Sequence, residues 1–119
     1  MTKIGNLIKK GEIYFAKLDP TIGSEIKKTR PALIVSNDLN NEFSTLLTVI
    51  PLTSHIDKIY PTEVLLDQAE TGLNKDSKAQ CGQIRTISKM RITTKKPAGK
   101  INDTTMDKIH QAIQLHLDM

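Results

Sequence analysis

Gly11-Glu12-Ile13-Tyr14-Phe15-Ala16-Lys17-Leu18 and Arg30-Pro31-Ala32-Leu33-Ile34-Val35-Ser36 decide the reading of the fold. In the first stretch Ile13, Phe15 and Lys17 share one face of an extended chain, and Tyr14, Ala16 and Leu18 share the other. Large apolar groups on both faces predict a strand covered on both sides. Asp19-Pro20 ends it. In the second stretch four consecutive apolar residues, rich in branched side chains, predict a buried strand. Pro31 has no N–H and belongs at that strand's start or on an edge. Between the two lies a polar loop, 21–29, containing Gly23-Ser24-Glu25 and Lys27-Lys28. Loops of this length on a small domain often carry function.

Working outward, residues 37–41 read as a turn or a single helical turn. Residues 46–52 read as a third strand that runs into Thr53-Ser54, followed by a second loop, 55–61. Residues 62–66 read as a fourth strand, and 68–76 are polar with Gly72 and Asn74 as breakers. Residues 78–87 read as one fifth strand, in which Ala79, Cys81, Gln83 and Arg85 would share a face. The last segment, Asp103–Leu117, reads as a helix: Asn102, Asp103 and Thr104 all offer N-cap chemistry, and Met106, Ile109, Ile113 and Leu117 recur at helical spacing. Short strands closed by one terminal helix predict a small, curved, mainly antiparallel barrel, a single domain over 1–119.

Charge points to a class of partner. Seventeen Lys and Arg stand against 13 Asp and Glu, a net charge of +4, which favours a polyanion or an acidic protein. The one cysteine, Cys81, can form no intramolecular disulfide, and His55, His110 and His116 are scattered, so no metal site and no cofactor are expected. A cytoplasmic protein without a signal peptide or membrane span is expected, because the start lacks a long apolar run. With 3% aromatic residues and no tryptophan, extensive stacking of bases on aromatic side chains is not expected.

Three ordered motifs add what periodicity cannot. The segment from Lys10 to Ala16 with Gly23-Ser24-Glu25 and Arg30-Pro31-Ala32-Leu33-Ile34-Val35, then Ile50-Pro51-Leu52-Thr53-Ser54, then Gly82-Gln83-Ile84-Arg85-Thr86-Ile87, together resemble the MazF/PemK toxins over nearly the whole chain. The resemblance implies an SH3-like antiparallel barrel of the CcdB/PemK-like kind with a C-terminal helix, assembled as a homodimer. It implies metal-independent cleavage of single-stranded RNA at short sequences, by attack of the ribose 2′-oxygen. A 2′,3′-cyclic phosphate and a 5′-hydroxyl would result. It also implies a cognate acidic antitoxin whose disordered tail occupies the RNA groove.

By this resemblance Arg30 and Thr53 match the family's catalytic arginine and threonine. Such an attack builds charge on phosphate oxygens, and a guanidinium meets them bidentately. A threonine hydroxyl can donate to the same oxygens or orient the 2′-hydroxyl. Each has a plain alternative: a surface arginine opening a strand, and a strand-end threonine satisfying its own backbone. The proton acceptor is open. Arginine is a poor base, so Glu25 stands as base or as partner of Arg30, and His55 as a second candidate. Ser24, Ser54 and Gln83 are RNA-contacting candidates, Arg85 a groove residue or a structural ion pair, and Lys28 with Lys27 a nonspecific phosphate attractor or a solvated pair. Three rivals remain. A gyrase poison of the CcdB type relies on a tryptophan near the C-terminus that this chain lacks; the others are a weakly catalytic regulator and a generic basic barrel.

Overall fold

One strand, β3 (Leu46–Thr53), carries most of the register. The computed structural model describes residues 7–18 and 29–119. Ser24, Glu25, Lys27 and Lys28, and all of the predicted 21–29 loop except Thr29, lie outside the described residues. The other strands are β1 (Glu12–Lys17), β2 (Thr29–Ile34), β4 (Glu63–Leu66), β5 (Ser77–Gln80), β6 (Arg85–Ser88) and β7 (Gly99–Lys100). Three helices, α1 (Asp38–Phe43), α2 (Gln68–Thr71) and α3 (Asp103–Leu117), complete the described chain with two 3-10 turns, Cys81–Gln83 and Lys89–Arg91. The strands form one curled antiparallel sheet in the order β4-β5-β3-β2-β1-β7, with β6 also on β3. The result is a half-barrel with a C-terminal helix.

The alternation along β1 holds. Ile13 enters the core beneath α3, while Tyr14, Ala16 and Leu18 enter a second core on the opposite face. Leu33, Ile50, Leu52 and Ala79 meet Met106, Ile109 and Ala112 of α3 in the first; Ala32, Ile34, Leu47, Val49 and Ile87 fill the second. Ile109 is fully buried, and burying such a side chain stabilises the fold by about 1.5–3 kcal/mol. Helix α3 spans the predicted residues, capped by Asn102, whose side chain accepts from Thr105 N–H at 2.8 Å. Its inner stripe ends sooner than expected: Ile113 only packs against the core, and Leu117 is exposed. The predicted turn or single helical turn at 37–41 is the short helix α1, six residues capped by Asn37.

The single fifth strand is a correction. Leu52 faces Ala79 and Val49 faces Arg85, so three steps along β3 correspond to six along its neighbour. The surplus of three forms the 3-10 turn Cys81–Gln83. An odd surplus reverses the faces. Ala79 and Cys81 stay in the α3 core, Ile87 lies in the other, and the expected common face of Ala79, Cys81, Gln83 and Arg85 does not exist. Backbone parity explains the position of the break. Lys89 N–H donates to Thr45 C=O on one edge of β3, and Val35 N–H to Thr48 C=O on the other. Odd residues of β3 therefore turn their amide groups toward β5 and β6, even ones toward β2. Pro51 is odd and has no N–H to give. The pairing breaks beside it.

Candidate active site

The same parity brings two predicted residues together. The β2–β3 register runs Ile34↔Val49, Leu33↔Ile50, Ala32↔Pro51. Beyond Ala32↔Pro51 the pairing ends, and continuing the same count would bring Arg30 level with Thr53. Arg30 is paired on its other side with Ala16 of β1, and Thr53 with Lys78 of β5. Each is paired on the far side, which leaves the side of the strand toward the other without a ladder. Next to Ala32 lies Pro31, which is the third residue of β2 rather than its start, in a strand flanked on both sides, and it cannot donate to Leu52. The regular ladder stops there, and a cleft of about 320 Å³ opens.

Arg30, Pro31, Leu52, Thr53 and Ser54 line one side of this cleft. Gly72, Leu73, Asn74 and Lys75, in the turn after α2, line a second part of it, with Ser77, Phe15 and Ala98 completing the lining. The lining holds two cations, Arg30 and Lys75, and no carboxylate or imidazole among the described residues. Such a cleft selects for anions. The Arg30 Nε is buried and has no hydrogen-bond partner among the described residues. A buried donor left unpaired costs about 1–3 kcal/mol. An anion that accepts from it recovers that cost. Thr53 Oγ1 accepts from the His55 backbone N–H at 3.2 Å. The contact is the local backbone use expected of a strand-end threonine, and it leaves the hydroxyl proton free to be donated.

The second wall is held from three directions. Asp67 caps α2 by accepting from Ala69 N–H at 2.9 Å, and Asp76 Oδ1 accepts from Gln68 N–H at 2.9 Å. Glu70 reaches the start of α3, accepting from Asn102 N–H and Thr105 Oγ1–H, both at 2.9 Å. Gly72 ends α2 in the left-handed region at φ 81°, where glycine avoids the Cβ clash. The sequence marked Asn74 only as a breaker and Lys75 and Ser77 not at all, because only the fold brings them into one cleft with Arg30. Phe15 was also missed: it is half-buried and lines the cleft.

The remaining candidates lie elsewhere. Gln83 sits in the 3-10 turn, partly buried and off the cleft lining. Arg85 opens β6 and donates through Nη1 to the Leu18 carbonyl at 3.2 Å, a structural tie at the end of β1. Arg91 does the same to the Lys17 carbonyl at 3.1 Å. The His55 side chain is exposed and off the lining. Cys81 is a fully buried core thiol, pushed up to about 12 by burial first and then by the Glu63 charge. Burial, reinforced by the Glu12 carboxylate that accepts its hydrogen bond, also drives the Tyr14 phenol well above its ordinary range. Among the described residues no group of three His, Cys, Asp or Glu is placed to hold a metal ion, and no helix is long and apolar enough to cross a membrane.

Residues 9–117 match the family described as PemK-like, MazF-like toxin of type II toxin-antitoxin systems. The chain is 42% identical to endoribonuclease MazF9 of Mycobacterium tuberculosis over 118 residues, 95% of this chain and 98% of that protein. It is 40% identical to endoribonuclease EndoA of Bacillus subtilis over 112 residues, 93% and 95% of the two chains. Among solved structures, the toxin MazF-mt6 of M. tuberculosis superposes with a TM-score of 0.76 at 28% identity, over 91% of this chain and 97% of that one.

Proposed function

Because the chain belongs to the PemK-like, MazF-like toxins of type II toxin–antitoxin systems, we propose that it is an endoribonuclease that cuts single-stranded RNA in the Arg30–Thr53 cleft. The observation that carries the assignment to this cleft is the buried Arg30 Nε, without a partner among the described residues, in the same lining as Thr53. Arg30 takes two phosphate oxygens of the scissile linkage and stabilises the charge that builds there. Thr53 donates its hydroxyl proton to the same phosphate or sets the angle of the 2′-hydroxyl. The 2′-oxygen bonds to phosphorus as the bond to the 5′-oxygen breaks. One proton leaves the 2′-hydroxyl and one reaches the 5′-oxygen. Glu25, in the segment before β2, is the proposed acceptor of the first, since the described lining offers no base.

Lys75 and Ser54 extend the phosphate-binding surface of the cleft, with Ser24 and Lys28 as further RNA contacts. The protein acts as a cytoplasmic homodimer, and a cognate antitoxin with an acidic tail competes with RNA for the basic cleft. The test is a digest of a long single-stranded RNA in EDTA, wild type beside Arg30→Ala, followed by end-group analysis. Cuts at a recurring short sequence with cyclic phosphate and 5′-hydroxyl ends, absent from the variant, are expected. No cutting by well-folded wild type would overturn the reading.

A further inference from the structure

Lys78 is the cross-strand neighbour of Thr53 on one side and of Leu65 on the other. It is also a buried cation, with Lys78 and Glu63 side chains each only 8% exposed. Its Nζ donates to the Lys58 backbone carbonyl at 2.7 Å and to Glu63 Oε1 at 2.9 Å. Glu63 Oε1 also accepts from Tyr60 N–H at 2.8 Å, and Gln80 Nε2 donates to Oε2 at 3.3 Å. The Tyr60 ring lies 5.1 Å from Lys58 Nζ and 5.6 Å from Lys78 Nζ. The segment that follows Thr53 and Ser54 is thus tied to the sheet at residues 58 and 60. At residue 55 it is tied to Thr53 itself, through the His55 N–H on Thr53 Oγ1.

A buried ion pair is a poor source of net stability, because desolvation consumes most of the Coulomb attraction. Two apolar side chains would serve the sheet as well. What apolar side chains cannot do is hold a backbone carbonyl of the adjacent loop. We infer that Lys78 is a positioning residue for RNA scission: by gripping the Lys58 carbonyl it fixes segment 55–60, and through His55 N–H it fixes the direction of the Thr53 hydroxyl. The inference rests on the nuclease reading and adds to it a residue outside the cleft lining.

The test is a double-mutant cycle in cleavage of a defined single-stranded RNA, with wild type, Lys78→Met, Thr53→Ala and the combination. Lys78→Met/Glu63→Gln stands in if the unpaired Glu63 carboxylate unfolds the single variant. Misdirecting a reacting group costs about 10- to 100-fold. The expected result is a loss of that size in kcat for Lys78→Met, with KM nearly unchanged. No further loss should appear when Thr53 is already Ala. Amide hydrogen exchange over residues 55–60 should speed up in the same variant without RNA. Equal losses in both backgrounds would reduce Lys78 to a structural residue and overturn the inference, as would unchanged exchange. A wild-type protein that leaves RNA uncut, with the exchange difference intact, would instead overturn the nuclease reading and the catalytic role with it, leaving only the clamp.

Discussion

Arg30 and Thr53 line one cleft from adjacent antiparallel strands, each paired with the strand on its far side, Arg30 with Ala16 and Thr53 with Lys78. Their side chains are left to each other and to whatever enters the cleft. The pair is built for function at a cost in stability, because the Arg30 Nε is buried without a partner among the described residues.

That cost separates the two roles of Arg30 by experiment. Arg30→Ala removes a buried donor that has no partner among the described residues, so its melting temperature should equal or exceed that of wild type. Its RNA cleavage should fall by about 10²–10³-fold or more, the usual loss for one donor to a developing oxyanion. Arg30→Lys should fall nearly as far, since an ammonium cannot match two phosphate oxygens with a planar fork. Thr53→Ser should retain most activity and Thr53→Val little, because the hydroxyl does the work. Thermal melts and single-turnover cleavage on the four variants decide it. An unfolded Arg30→Ala would make the arginine structural.

The second wall rests on a glycine. A Cβ placed on Gly99 would lie 2.3 Å from the Thr71 carbonyl oxygen, a backbone atom that cannot swing aside. Gly99→Ala must therefore push β7 and the end of α2 apart, at a cost of about 1–3 kcal/mol. The displaced segment carries Leu73, Asn74 and Lys75, so RNA affinity should weaken as well. Gly72→Ala meets open space and suffers only from its positive φ, an expected cost of about 1 kcal/mol. Urea melts and binding of a non-cleavable 2′-deoxy-substituted RNA would check the order. A Gly99→Ala protein as stable as wild type would show that the close approach is not needed.

Most of the fold is legible in the sequence because it is local. The two faces of β1 read directly off Ile13 and Tyr14, and α3 reads off Asn102 and its apolar spacing. The break between β5 and β6 is not local. It depends on Pro51, a residue of the neighbouring strand whose missing N–H matters only once the strands are aligned. The site divides in the same way. Arg30, Thr53 and Ser54 carried a motif, and the structure brings them to one cleft. Lys75 and Asn74 carry none, and their place opposite Arg30 follows from the turn after α2. A face common to Gln83 and Arg85 requires an unbroken strand, and the 3-10 turn Cys81–Gln83 interrupts it.

Cys81 tests the packing of the first core without touching the cleft. The thiol is fully buried and held at about 12 by burial and the Glu63 charge, so almost no thiolate exists at pH 8. Only the thiolate reacts with an alkylating reagent at a useful rate. Native protein should resist iodoacetamide at pH 8, and labelling should follow global unfolding as urea is added. Fast labelling of the folded protein would mean that the Leu52–Ala79–Cys81 region opens locally.

Glu63 gives the fold a dependence on acid. Burial alone would raise its carboxyl, but hydrogen bonds from Tyr60 N–H, Lys78 and Gln80, with the Lys78 charge, hold it below the ordinary carboxylate value. A carboxylate with a depressed folded pKa contributes stability that is fully present above its unfolded pKa of about 4.3. As pH falls, the unfolded chain takes up the proton first, so unfolding gains and stability drops until the folded carboxyl is protonated as well. The urea midpoint of wild type should therefore fall as pH passes from 6 downward through the carboxylate range. Glu63→Gln, which cannot titrate, should fall less steeply over the same interval, whatever its stability at neutral pH. Parallel curves for the two proteins would show that Glu63 is not held as a charged partner of Lys78.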